Sequence, residues 1–340
     1  MISGSGNRGW QPSVGLIASS SARRLWMLFL LILVLWTFPA RSYGALDGDD
    51  VASEKNQHGQ SSSPYTTGPI ITDTTIPQPL GTATLFMPTF LSFTGGNFSP
   101  GWRRGSVGGD FRTLSGSMQL HVGVLPHTSV YVVVPYLHNW VWNVNQPGPN
   151  GQRSANFGGL GDLSITGKHL LLDEQTHFPA VAGIFAVAFP SGHHLHFNPG
   201  NLGTDQLGRG SFTFTPGLNF FKYVPPVLLY ANLWYTIYTG ATVVGERLYY
   251  RDRATANLAL ELPLVKDRWV FLWELVSYYD AGRLLGHQAN YVPRALIGTL
   301  LGIEFLATKD LSFAPGILID FLGKNTSFSY TPNFSVFYNF

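Results

Sequence analysis

From residue 80 onward, segments of period-two hydrophobicity are joined by connections that are short and long by strict turns. The candidate strands cover 82–94, 111–124, 130–144, 161–172, 180–191, 210–224, 227–240, 253–265, 269–282, 295–308, 311–323 and 331–340. The connections Leu125–Ser129, Asp173–Pro179, Pro225-Pro226, Lys266–Arg268 and Thr308–Asp310 are short. Those at 95–110, 145–160, 192–209, 241–252, 283–294 and 324–330 are long. Antiparallel strands joined in sequence put alternate connections at opposite ends of the sheet. Sorting by length therefore means that the two ends meet different environments, as in a bilayer-spanning barrel. A soluble sandwich has no reason for such sorting. Most segments exceed the ~9–11 residues that a tilted strand needs to cross a bilayer. The expectation is an all-β, transmembrane, antiparallel up-and-down β-barrel of about 12 strands over residues 80–340, with both ends of the barrel chain at the short turns.

Within the strands, charges fall on one face only. Trp269, Phe271, Trp273 and Leu275 alternate with Glu274; Leu258, Leu260 and Leu262 alternate with Asn257 and Glu261. Ile297, Leu301, Ile303 and Phe305 alternate with Gly298, Gly302 and Glu304, and Lys168 shares a face with Ser164 and Thr166. A charge on the lipid side costs ~2–4 kcal/mol near the midplane, so the charged face points to the lumen. In the last strand Phe334, Val336, Tyr338 and Phe340 share the apolar face, opposite Asn333, Ser335 and Asn339, with Phe337 as the intruder. This ending resembles the terminal strand of bacterial outer-membrane barrels, whose final Phe is an assembly signal. The resemblance implies the barrel-assembly machinery as a partner.

Ahead of the barrel, Arg23-Arg24 and the apolar run Leu25–Phe38, then Ser42-Tyr43-Gly44, read as a signal peptide over residues 1–45. Residues 46–79, rich in Ser, Thr, Asp, Gln and Pro, read as a disordered periplasmic leader. No later stretch reaches the length of a spanning helix. Charged residues make up 12% of the chain, about half the usual ~25%, so much of the surface is expected to face something other than water. A net charge of +2 without a basic stripe excludes nucleic acid as the expected partner. The absence of cysteine excludes thiolate metal sites and disulfides.

The candidate pore-lining residues are Glu261, Glu274, Glu304, Asp320, Lys168 and His121. The three glutamates lie at similar height on three adjacent strands. They are read either as a filter against anions or as a structural network with partners such as Lys168 or His121. Ten of the eleven arginines after the signal region lie in long loops or at strand ends beside them, Arg112, Arg153 and Arg209 among them. Guanidinium forks suit phosphate, so Arg103, Arg104, Arg247, Arg251, Arg253, Arg283 and Arg294 are assigned to lipopolysaccharide contact. A positive vestibule that collects anionic solutes is the alternative. His127-Thr128-Ser129 has the Ser–His spacing of an outer-membrane phospholipase but lies in a short turn, away from outer-leaflet lipid. His193-His194-Leu195-His196 lacks the carboxylate of a catalytic zinc motif. No enzyme activity, cofactor or metal is expected.

The stretch Gly159-Leu160-Gly161-Asp162-Leu163-Ser164-Ile165-Thr166-Gly167-Lys168-His169 and the strand ending in Pro190-Ser191-Gly192 resemble the outer-membrane transporter family named for the phenol meta-degradation pathway. His169 departs from the aromatic common at that position. The resemblance implies a barrel that passes small hydrophobic or aromatic compounds. The expected function is thus a passive outer-membrane channel for small molecules in a Gram-negative bacterium, in contact with membrane lipid and lipopolysaccharide. The alternative is a non-transport barrel, lipid-modifying or structural.

Overall fold

In the computed structural model, residues 66–194, 198–243, 246–285 and 292–340 are described. The signal-peptide stretch 1–45 and residues 46–65 of the leader lie outside them. The barrel strands are β1 (Ala83–Phe98), β2 (Asp110–Leu125), β3 (Thr128–Trp142), β4 (Ala155–Leu160 continued by Ser164–Leu172), β5 (Ala180–Ala188) and β6 (Thr213–Val224). They continue as β7 (Val227–Tyr238), β8 (Arg253–Val265), β9 (Trp269–Asp280), β10 (Arg294–Leu306), β11 (Leu311–Lys324) and β12 (Thr326–Asn339). Each pairs antiparallel with the next, and β12 pairs with β1 through Thr84↔Asn339, Met87↔Val336 and Phe90↔Asn333. The sheet is a closed twelve-stranded barrel, so no edge is left to pair with another chain. Phe340 follows the last strand, its N–H donating to Ala83 O at 2.8 Å.

Alternation sets which face is which. Val270, Leu272 and Glu274 are buried inside, whereas Met118, Leu120, Phe185, Leu301 and Ile317 are exposed outside. An apolar outer surface on this scale is a liability in water and a requirement in hydrocarbon. The Val132–Val134 run, which shows no contrast in sequence, is settled by pairing: Tyr131 lies opposite His121 on the inner face and Val132 opposite Leu120 on the outer one. Phe337 points inward and stacks on its cross-strand partner Phe86, ring centroids 4.2 Å apart.

Two features depart from the sequence reading. The last long connection, expected at 324–330, is reduced to Asn325 (φ 51°) between β11 and β12. The two strands nevertheless part beyond Ile319↔Tyr330: Lys324 pairs with Ala295 of β10, and Thr326 with Phe98 of β1. Asp320 bridges the parting, accepting from Ser329 N (2.9 Å) and Ser329 Oγ (2.7 Å). The second departure is the break in β4 at Gly161-Asp162-Leu163, opposite Pro135, which has no N–H to give to a ladder.

That break is a clasp. Asp162 accepts from Gly192 N (2.9 Å) and Arg209 N (2.8 Å), and Ser191 Oγ accepts from Leu163 N (2.8 Å) and donates to Gly161 O (3.2 Å). The backbones of Gly161, Gly192 and Gly208 meet there. A Cβ on Gly192 would lie 2.9 Å from Gly208 Cα and 3.0 Å from Gly161 C, so only glycine fits. The Gly-x-Gly-Asp and Pro-Ser-Gly stretches thus fasten the 189–212 connection to the wall.

Leu301→Arg, which puts a charge on the outer face, is expected to lower stability in lipid vesicles by about 2–4 kcal/mol. Urea titration followed by heat-modifiable migration reads this, and an unchanged midpoint would contradict the facing. Asp162→Ala removes the acceptor of two loop amides. Hydrogen exchange at Gly192 and Arg209 is expected to speed up by about tenfold or more, and unchanged protection would mean that the clasp does not hold the loop.

Candidate functional site

Residues 66–79, part of the stretch expected as a disordered leader, lie instead inside the barrel. Their composition cannot build a core of its own, but the lumen wall presents what a bare peptide needs. Entry depends on Gly123 of β2. A Cβ there would sit 1.9 Å from Pro79 O, and Leu80 pairs with Gly123 as the chain turns over the rim. Farther in, Gly68 (φ 98°) brings the segment back against Thr74, where a Cβ would meet Thr74 Cγ2 at 2.3 Å.

Three glutamates on β8–β10 hold one side of this segment. Glu274 Oε1 accepts from the N–H groups of Ile70 (2.7 Å) and Ile71 (3.1 Å), and Oε2 accepts from Thr72 N (2.6 Å) and Ile71 N (3.1 Å). Successive amides converging on one carboxylate form an anion nest, here closed by the protein's own acid. Thr66 Oγ1 donates to Glu261 Oε2 (2.7 Å), which also accepts from Tyr230 OH (2.8 Å). Thr67 Oγ1 donates to Glu304 Oε1. All three glutamates are 0% exposed. Between them Ile70 packs into an apolar wall of Phe86, Val270, Leu272, Leu300, Ala314 and Phe337.

The far side of the segment is anchored through Asp73. Lys168 Nζ lies 2.6 Å from Asp73 Oδ1 and donates to Thr74 O at 2.7 Å. Asn219 Nδ2 and Tyr131 OH donate to Asp73 Oδ2 at 2.9 and 3.3 Å. Asn232 takes the backbone from both sides, Asp73 N→Oδ1 (2.8 Å) and Nδ2→Asp73 O (2.9 Å). His121 stacks on Tyr131, ring centroids 4.4 Å apart, and so acts through it.

The structural network expected for the acids therefore exists, but with other partners. Glu261, Glu274 and Glu304 meet Thr66–Thr72, while across the lumen Lys168 on β4 meets Asp73 and His121 on β2 stacks on Tyr131. Asp320 belongs to neither group and serves the β11–β12 parting. Sequence reasoning missed the Asn219–Asn232–Asn257 row, which runs across β6, β7 and β8 at matched register. Its signal was available: inward amides on adjacent strands whose outward neighbours are apolar. Glu261 Oε1 and Glu304 Oε2 have no hydrogen-bond partner among the described residues.

At the long-loop end, Arg103, Arg104, Arg247 and Arg251 are exposed. The Arg104 guanidinium lies 4.9 Å from the Phe328 ring centroid, and the Arg283 side chain lies outside the described residues. Arg253 and Arg294 differ from the lipopolysaccharide assignment: with Asp280 between them in register, they line a cavity at the mouth. The parity of the inner face, continued to the strand ends, turns them inward. Ser129 is buried in the lumen, and it is Thr128 whose hydroxyl meets an imidazole, that of His169, at 2.8 Å. His193 and His194 bond the backbone oxygens of Asp205 and Gly192, while Leu195 and His196 lie outside the described residues. Among the described residues no three metal-ligating side chains cluster.

No family model and no curated protein matches the sequence. Solved structures do match in fold. An outer membrane channel from Pseudomonas putida F1 superposes with a TM-score of 0.65 at 12% identity, covering 78% of this chain and 98% of that one. The translocator domain of the autotransporter NalP from Neisseria meningitidis gives 0.47 at 13% identity over 77% and 90%. The CymD monoaromatic hydrocarbon channel gives 0.42 at 10% identity over 77% and 89%. The first of these likenesses carries the closed barrel architecture.

Proposed function

We propose that the chain is a bacterial outer-membrane channel for passive passage of small molecules, closed in this state by its own residues 66–79. The observation that carries this reading is the manner of closure. Each buried acid of β8–β10 accepts a hydrogen bond from one tethered segment, with Tyr230 of the wall the further donor to Glu261. A barrel with a purely structural lumen can pair its walls directly, as inward side chains do in small barrels. Here withdrawal of one segment leaves a continuous polar face of Glu and Asn beside an apolar one.

The wall under Ile70, with Phe86, Leu272, Leu300 and Phe337, suits small hydrophobic or aromatic compounds. The short-turn end, where residues 79–83 enter, faces the periplasm in this reading, with both ends of the barrel chain there. The exposed Arg103, Arg104, Arg247 and Arg251 then meet lipopolysaccharide, and the strand ending in Phe340 meets the assembly machinery. The resemblance to the phenol meta-degradation transporters agrees with this class of solute.

Glu274→Ala and Gly123→Val act on the segment without changing the outer face. Loss of charge-assisted bonds worth about 1.5–3 kcal/mol each is expected to shift the closed population by about tenfold or more. Planar-bilayer conductance and liposome swelling with benzyl alcohol should both rise, as in a chain lacking residues 66–79. Swelling that stays at the wild-type level in folded forms of all three would favour the non-transport barrel. In the opened protein, Glu304→Gln is expected to move the reversal potential under a salt gradient away from cation preference. An unchanged potential would leave the acids with anchoring alone.

A further inference from the structure

We infer that the long-loop mouth holds an oxyanion site formed by Arg209, Arg253 and Arg294, which takes the carboxylate of a small organic acid. The inference deepens the channel reading and rests on it for the direction in which a solute arrives. The residues come from different parts of the chain. Arg253 opens β8 and Arg294 opens β10, with Asp280 at the end of β9 between them, in the register Arg253↔Asp280↔Arg294. Arg209 is brought over from the 189–212 connection. Together with Gln206 and Tyr250 they line a cavity of about 140 Å³. Sites for whole drug-sized ligands run to ~300–1,000 Å³, so this one is the size of a head group.

Charge favours an anion. Among the described residues that line the cavity, Asp280 is the one carboxylate beside these arginines, and it is already engaged: Oδ2 accepts from Arg253 Nη2 at 3.0 Å and Oδ1 from Gly282 N at 2.8 Å. Two of the guanidiniums, those of Arg209 and Arg253, are also fixed in advance. Arg209 has its N–H held by Asp162 (2.8 Å), its backbone oxygen by Tyr250 OH (3.1 Å), and its Nη1 on Tyr238 OH (2.8 Å). Its guanidinium lies 5.2 Å from the Tyr238 ring centroid, and that of Arg253 lies 4.4 Å from the Tyr278 centroid. Arg253 Nε is buried with no hydrogen-bond partner among the described residues. A guanidinium held over a ring keeps a planar fork of donors, which suits bidentate binding of a carboxylate. The aromatic faces beside them suit an organic acid with an apolar body. Such a solute would be caught by its head at the mouth and would meet the apolar wall farther in. The clasp at Asp162 accepts from the backbone N–H of Arg209 and so sets where this arginine enters the site.

The test is calorimetric titration of the full folded chain in detergent micelles, free of lipopolysaccharide. Benzoate is the probe, benzyl alcohol its uncharged counterpart, and inorganic phosphate and purified lipopolysaccharide are competitors. Benzoate is expected to bind at one site, to be displaced by phosphate, and to lose affinity by at least about tenfold in R209Q and in R253Q, as removal of a charge-assisted bond requires. R253K should fall between. Because R253Q also strands Asp280, R209Q and the wild-type salt dependence keep the test decisive: the affinity should fall steadily with ionic strength. Benzoate binding that equals that of benzyl alcohol, ignores salt, or survives R209Q overturns the site. So does R209Q-sensitive binding of lipopolysaccharide with none of benzoate, which would assign the arginines to the leaflet. Conductance enters none of these readouts, so failure of the channel reading and failure of this site are separately visible.

Discussion

The interior depends on one carboxylate. Glu274 is fully buried in the wall, and a buried acid without donors is costly. Ile70, Ile71 and Thr72 present three successive amides that have no strand or helix to join. Each side of this contact answers a need that nothing else nearby can meet. Once it forms, Thr66 and Thr67 fall beside Glu261 and Glu304, Ile70 drops into the apolar wall, and Asp73 reaches Lys168 on the opposite side. Loss of the central contact would leave both partners unsatisfied, which makes seating cooperative.

Barrel width decides why such a segment exists. Eight strands leave an interior that wall side chains can fill, and sixteen or more leave an open aqueous channel. Twelve strands fall between, and here one folded-back peptide touches both walls. The segment fills that intermediate gap with polar contacts on two sides and an apolar one between. A peptide held this way is tied to the wall by side chains and one nest, not by a continuous strand ladder, so the barrel's own ladder does not depend on it.

Much of this was legible in the residues. The length sorting of the connections and the period-two alternation are local, and closure of the barrel and the inward facing of Glu261, Glu274, Glu304 and Lys168 follow from them. What escaped was decided by contacts distant in sequence. Residues 66–79 carry too few apolar groups to read as ordered, because their order comes from acceptors more than 150 residues away, on β7, β9 and β10. The 324–330 connection read as a loop because its two arms pair with β10 and β1 instead of with each other. Arg253 and Arg294 read as leaflet contacts because loop arginines usually face outward, and only the cross-strand register with Asp280 turns them inward.

The alternation of apolar and polar residues along each strand, a two-residue property, determined by itself that the chain builds a sheet with a lipid side and a lumen side. The alternation of short and long connections determined that the two ends of the sheet differ. Neither pattern holds information about what occupies the lumen or the mouth, since both sites draw on segments that meet only after the sheet has closed. Tertiary structure decided that the three glutamates hold residues 66–72, Glu274 through backbone amides and Glu261 and Glu304 through threonine hydroxyls, and that Arg209, Arg253 and Arg294 share one cavity. Satisfaction of buried hydrogen bonds is a property of the assembled interior, and no local pattern encodes it.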